Sequence, residues 1–176
     1  PSFPVKLNVP KTSGVQVTRV QHLSGEWRAS VDIQLAVEAD DAMQPSGEVD
    51  EIHIHLPENW RGPFDLQPAS LAGHLVTSSA AIGHLTIRPA ESISGKFQFT
   101  ISGPISVAPG DRVSVPNLTI QDLNSYDRFV VLPKRLDQQD VQWDRSGLES
   151  RPLPPLIADP PSHSESYWVT GKAFKA

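Results

Sequence analysis

The stretch VDIQLAVEA, residues 31 to 39, places Val31, Ile33, Leu35 and Val37 at alternate positions, with Asp32, Gln34, Ala36 and Glu38 between them. Successive side chains of a strand leave opposite faces, so this order makes one dry face and one wet face. KFQFTI repeats the arrangement, with Phe97, Phe99 and Ile101 set against Gln98 and Thr100. VSVPNLTIQ and HLTIR alternate in the same way, while FVVLP, residues 129 to 133, is continuously apolar and suits a strand buried on both faces. No window carries the i, i+3, i+4, i+7 stripe of an amphipathic helix. The 17 prolines, nearly twice the average usage, would interrupt most candidate helices.

Strands are expected near 15–23, 26–38, 50–56, 73–78, 82–88, 94–102, 111–121 and 127–133, with a last one near 165–174. Clusters such as DDAMQPSG, PENWRGPFD, APGD and DLNSYD punctuate them. Short strands at near-regular spacing predict an all-β fold, an antiparallel β-sandwich of jelly-roll or immunoglobulin-like type. LAGHLVT followed by AIGHLTI reads as a hairpin that reuses one pattern.

From residue 134 the texture changes. KRLDQQDVQWDRSGLES is polar with isolated large residues, and RPLPPLIADPPSH holds five prolines in thirteen residues. Such density favours extended, polyproline-like chain. Residues 1–133 are therefore expected to form the sandwich. Residues 134–176 are expected to form an extension that ends in a strand and is packed on, or linked to, the same domain.

A chain of 176 residues buries roughly 70% of its unfolded surface, so neither disulfide nor metal is needed for stability. The net charge of −5, without a basic stripe, argues against nucleic acid as a partner. Cysteine is absent, which excludes thiolate metal sites and cysteine nucleophiles. The apolar stretches are too short for a helix to cross a bilayer. The chain begins at Pro1, has its one methionine at Met43 and stops within a strand-like VTGKAFKA, the expectation being a piece of a longer protein.

Most catalytic templates fail. The sequence contains no G-x-S-x-G, S-x-x-K, H-E-x-x-H, Walker loop or G-x-G-x-x-G. DLNSYD offers Asp122, Asn124 and Asp127 as oxygen donors, but an EF-hand loop wants glycine sixth and glutamate twelfth, where this chain has Asp127 and Pro133. An Asx-rich turn accounts for these residues. Asn117 lies in a glycosylation sequon, NLT.

EVDEIHIHLPENW raises the one metal question. Gly47, five residues, His53-Ile54-His55 and Glu58 resemble the cupin motif G(X)5HXH(X)3–4E(X)6G, and APGDRVSVPN is similar to part of the family's second motif. The resemblance implies a metal-dependent jelly-roll enzyme using His53, His55 and Glu58. It is incomplete, because Glu58 follows after only two residues and no third histidine appears after Pro116. Ile52, Ile54 and Leu56 share one strand face and Glu51, His53 and His55 the other. Each large aliphatic gains roughly 1.5–3 kcal/mol from burial. The histidines are therefore expected on the wet face, with no metal and no cofactor.

Trp60 and Trp143 stand in polar, loop-like surroundings and are the candidates for a platform on which a sugar stacks. The segments YDRFVVLP, VQWDRSGLESRPLPP and YWVTGKAF resemble parts of large bacterial envelope proteins in which β-domains alternate with loops. These readings converge on a non-catalytic structural or interaction domain of a larger bacterial, extracytoplasmic protein. Its expected partners are a protein, a glycan or other domains of the parent chain. A cupin-like metalloenzyme and a carbohydrate-binding module are the alternatives.

Overall fold

The computed structural model describes residues 11–38, 49–68, 75–78, 83–89, 91–92, 95–107, 110, 112–121, 123, 125–137, 139–155, 157, 160–171 and 174–176. The architecture is all-β, a sandwich of a seven-stranded and a four-stranded sheet with a small added hairpin. The strands are β1 (Lys11–Leu23), β2 (Glu26–Glu38), β3 (Ile52–His55), β4 (Asp65–Gln67), β5 (Leu75–Ser78), β6 (His84–Ile87), β7 (Gly95–Pro104), β8 (Thr119–Ile120), β9 (Ser125–Pro133), β10 (Arg135–Leu136), β11 (Gln139–Asp140), β12 (Leu148–Ser150) and β13 (Ser164–Val169). The large sheet runs β12-β13-β9-β1-β2-β7-β4 and the small one β5-β6-β3-β8, while β10 and β11 pair with each other.

β1 and β2 form the spine, thirteen residues each in one antiparallel ladder from Lys11↔Glu38 to Leu23↔Glu26. Ser24 and Gly25 close it with φ of 52° and 81°. Two positive φ values make the I′ turn whose twist matches that of paired strands. The alternation of β2 then decides the layering. Val31, Ile33, Leu35 and Val37 are buried against Ile52, Ile54, Leu85 and Ile87 of the small sheet. Phe99 and Ile101 of β7 enter the same core, with Phe97 half-buried at its border.

The large sheet is not purely antiparallel. β9 lies parallel to β1, from Ser13↔Ser125 to Arg19↔Val131. The chain passes through the small sheet between these two strands, and a parallel pair requires such a long crossover. The strand expected over 111–121 is also reduced to Thr119–Ile120. Pro116 has no N–H for a ladder, and the amide of Val115 instead donates to the carbonyl of Ala176.

Residues 128–133 are buried without interruption, as the apolar run FVVLP requires. One face of β9 sends Val130 and Leu132 into the main core. The other sends Phe129 and Val131 into a second cluster with Val17, covered by Leu153, Ile157 and Trp168. Leu153 and Ile157 belong to the proline-rich stretch. It is fastened where the Arg151 amide donates to the Ser166 carbonyl and the Ser166 hydroxyl donates to the Arg151 carbonyl. The C-terminal strand β13 pairs with β9 from Ser164↔Pro133 to Trp168↔Phe129. The extension thus contributes two strands and a cover to the large sheet.

Candidate functional site

The burial of β3 alternates, with Ile52, Ile54 and Leu56 in the core, His53 half-buried and His55 exposed. The isoleucines set the strand's orientation, and both imidazoles lie on the face of the small sheet turned away from the core. They also have different neighbours. His53 Nδ1 is 3.3 Å from the Thr86 hydroxyl and its Nε2 3.3 Å from Glu51, which also accepts from Arg88. His55 faces His84 in the adjoining strand with ring centroids 5.0 Å apart. Glu58 sits in the following loop, exposed. Among the described residues no three potential ligands cluster, and the cupin arrangement of inward histidines does not fit this strand. Gly47 and His74 lie outside the described residues, as do Asp122 and Asn124 of the calcium-like loop; Asp127 stands exposed in β9.

Trp60 is not a platform. It is completely buried, its Nε1 donates to the Gly103 carbonyl at 3.2 Å, and Phe64 packs against it edge-on at 4.8 Å between centroids. The polar letters around it in the sequence belong to a loop that folds the indole under itself. Neither ring face is left for a ligand.

Trp143 occupies the opposite kind of place. It is half-buried, its Nε1 donates to the Pro133 carbonyl at 2.8 Å, and its ring meets Trp27 at 5.8 Å and 86°. The two indoles and Phe174 line a cleft of about 690 Å³, with Arg112, Asp144 and Lys175 also on its wall. The Lys175 amide donates to the Ser146 carbonyl, which together with the Val115–Ala176 bond holds the last residues across the cleft. Asp144 accepts from the hydroxyl and the amide of Ser146. Those bonds, aided by Lys175, hold its carboxyl below the usual carboxylate range. The cleft therefore combines aromatic surface with a fixed anion and two cations, a lining suited to a ligand that has both apolar faces and polar groups.

The sequence singles out Trp143 and gives no sign of Trp27, Phe174, Arg112 and Lys175 beside it. They lie far apart along the chain, and only the hairpin, the tail and the residues after β7 bring them together. Arg128 escapes notice too, although its alternation with Tyr126 and Val130 in β9 places a cation on the inner face. Asn117 of the sequon accepts from Arg128 Nη1 at 2.7 Å, so its side chain is engaged inside the sandwich. No protein-family model and no curated protein sequence matches the chain.

Proposed function

We propose that this chain is a non-catalytic interaction domain of a longer, extracytoplasmic bacterial protein, and that it receives a glycan in the cleft at Trp143. The observation that carries this reading is the meeting of Trp27, Trp143 and Phe174 on the wall of a cleft of about 690 Å³. Pyranose rings stack on aromatic faces, and Arg112, Asp144 and Lys175 on the same wall supply donors and an acceptor of the kind that hydroxyl groups take. A rigid sandwich presents such a site at low entropic cost, because the side chains are positioned before the ligand arrives. The resemblance of the C-terminal segments to envelope proteins supports the extracytoplasmic setting.

The test is a glycan array probed with the purified domain, followed by titration of any hit with tryptophan fluorescence as the signal. Binding should disappear in Trp143→Ala and weaken in Lys175→Ala, with circular dichroism unchanged in both. An array without hits, or a hit indifferent to both substitutions, would overturn the proposal.

A further inference from the structure

Arg128 is the least expected residue of the core. It is 7% exposed, yet no ion pair joins its guanidinium among the described residues. The acceptors it does have are neutral, the Asn117 side-chain oxygen for Nη1 and the Gly171 carbonyl for Nη2. The Tyr126 ring lies 5.9 Å away, and the tyrosine hydroxyl is already committed to Gln16. A buried charge without a counter-charge is costly, and such groups are ordinarily paired. Burial lowers the pKa of this guanidinium, although Tyr126 acts in the opposite sense. An arginine nevertheless stays charged in a protein.

The strand geometry explains how a ligand reaches it. The β13–β9 ladder ends at Trp168↔Phe129, one residue short of Arg128. Past that pair, residues of β9 and of the end of β13 line a cavity of about 430 Å³. Arg128, Tyr126, Thr119, Thr170 and Asp127 all contribute to its lining. The Thr170 hydroxyl donates to the Gly147 carbonyl, whereas Thr119 makes no side-chain hydrogen bond among the described residues. The arginine's neutral acceptors engage Nη1 and Nη2, leaving part of a five-donor fork whose planar geometry matches a carboxylate.

The geometry points to a second binding site, distinct from the Trp143 cleft, in which Arg128 receives the carboxylate of a ligand entering between β9 and β13. Asp127 on the same lining selects the charge: a negative neighbour tolerates a monoanion better than a doubly charged phosphate. A carboxylate supplied by an acidic sugar or by an acidic amino-acid side chain shares this chemistry.

The test uses the whole chain. Acetate, inorganic phosphate, glucuronate and N-acetylglutamate are titrated at constant ionic strength. Thermal midpoint and the guanidinium NMR signal of Arg128 are followed. A ligand that binds only the folded state raises the midpoint saturably. Acetate should do so and shift the Arg128 signal, phosphate should do so less, and Arg128→Gln should abolish the effect. The glucuronate and N-acetylglutamate arms identify the source by which of them exceeds acetate. Since Arg128→Gln removes buried bonds that the fold uses, Asp127→Asn at the exposed rim provides the second variant, and it should tighten acetate binding several-fold. Absence of any saturable response to acetate, or an Asp127→Asn affinity equal to the parent's, overturns the site. Trp143→Ala should leave all these responses intact, which separates this outcome from failure of the glycan reading.

Discussion

The indole nitrogen of Trp60 donates to the carbonyl of Gly103 at 3.2 Å, and the bare Cα of Gly103 is what lets the Trp60 loop come so close. A Cβ on Gly103 would stand 2.8 Å from the Pro63 carbonyl oxygen and 2.9 Å from the Phe64 ring. The pair therefore works as one device. It lays a loop of large side chains over the end of β7, where Trp60 joins the core.

Trp60→Ala should lower stability by about 3–5 kcal/mol, the usual cost of emptying a large aromatic site. Trp60→Phe should cost less than that, losing an indole hydrogen bond worth about 0.5–1.5 kcal/mol while the Gly103 carbonyl keeps its place opposite Ala29 in the β2–β7 ladder. Gly103→Ala should also destabilise, since one of the opposing atoms is backbone. Urea unfolding followed by tryptophan fluorescence, with each substitution compared to the parent chain, checks all three. A Trp60→Ala protein as stable as the parent would contradict the burial described above.

The second face of β9 is closed by Leu153 and Ile157 of the proline-rich stretch, over Val17, Phe129 and Val131. Leu153→Ser and Ile157→Ser should each remove roughly 1.5–3 kcal/mol of burial at most. Hydrogen exchange gives the sharper readout: amides of β9 and β13 should lose protection while those of β2 and β7 keep theirs. Arg151 lies 4.1 Å above the Trp168 ring, and Arg151→Ala should cost about 0.5–1 kcal/mol, as an exposed cation–π contact does.

What could be read from the residues follows from how local the cause is. The alternation of β2 is a property of consecutive positions, and the burial of Val31, Ile33, Leu35 and Val37 follows from it directly. The same logic oriented His53 and His55 and recognised 129–133 as doubly buried. The LAGHLVT–AIGHLTI echo is the β5–β6 hairpin, with Ser78 paired to His84. The parallel partnership of β1 with β9 has no local signature, because it joins positions more than a hundred residues apart. Trp60 escapes a local reading for the same reason. Its neighbours in sequence are polar, but its neighbours in space are Gly103 and Phe64. Trp143 met Trp27 only through the return of the chain after β11.

Gly83 is a position where glycine is demanded twice. Its φ is +60°, and a Cβ there would fall 2.5 Å from the Leu56 carbonyl oxygen, a backbone atom with little room to move. Gly25, at φ +81°, has none of the described residues' atoms within 4 Å of the added atom. Gly25→Ala should therefore cost only the left-handed conformation, about 1–2 kcal/mol. Gly83→Ala should cost more than that and should disturb the Leu56–Gly83 backbone bond at the start of β6. Equal unfolding midpoints for the two variants would refute the close approach.

The chain's two tyrosines make it sensitive to alkali. Burial pushes the Tyr167 phenol from 10.0 up to about 12, with a further contribution from its bond to Glu165. Burial raises Tyr126 as well, against the opposing effect of Arg128. For a group whose folded pKa is raised, the folded state keeps its proton while the unfolded chain releases it. The associated stability is complete below pH 10.0 and declines as pH climbs toward about 12 for Tyr167, with Tyr126 acting in the same direction. Phenolate absorbance should therefore appear together with loss of the β circular dichroism signal rather than before it. Tyr167→Phe should fall less steeply across the same window, since it has no proton to lose. Two phenols titrating near their ordinary value while the circular dichroism stayed native would show that neither ring is buried as placed, and would detach Tyr126 from the core around Arg128.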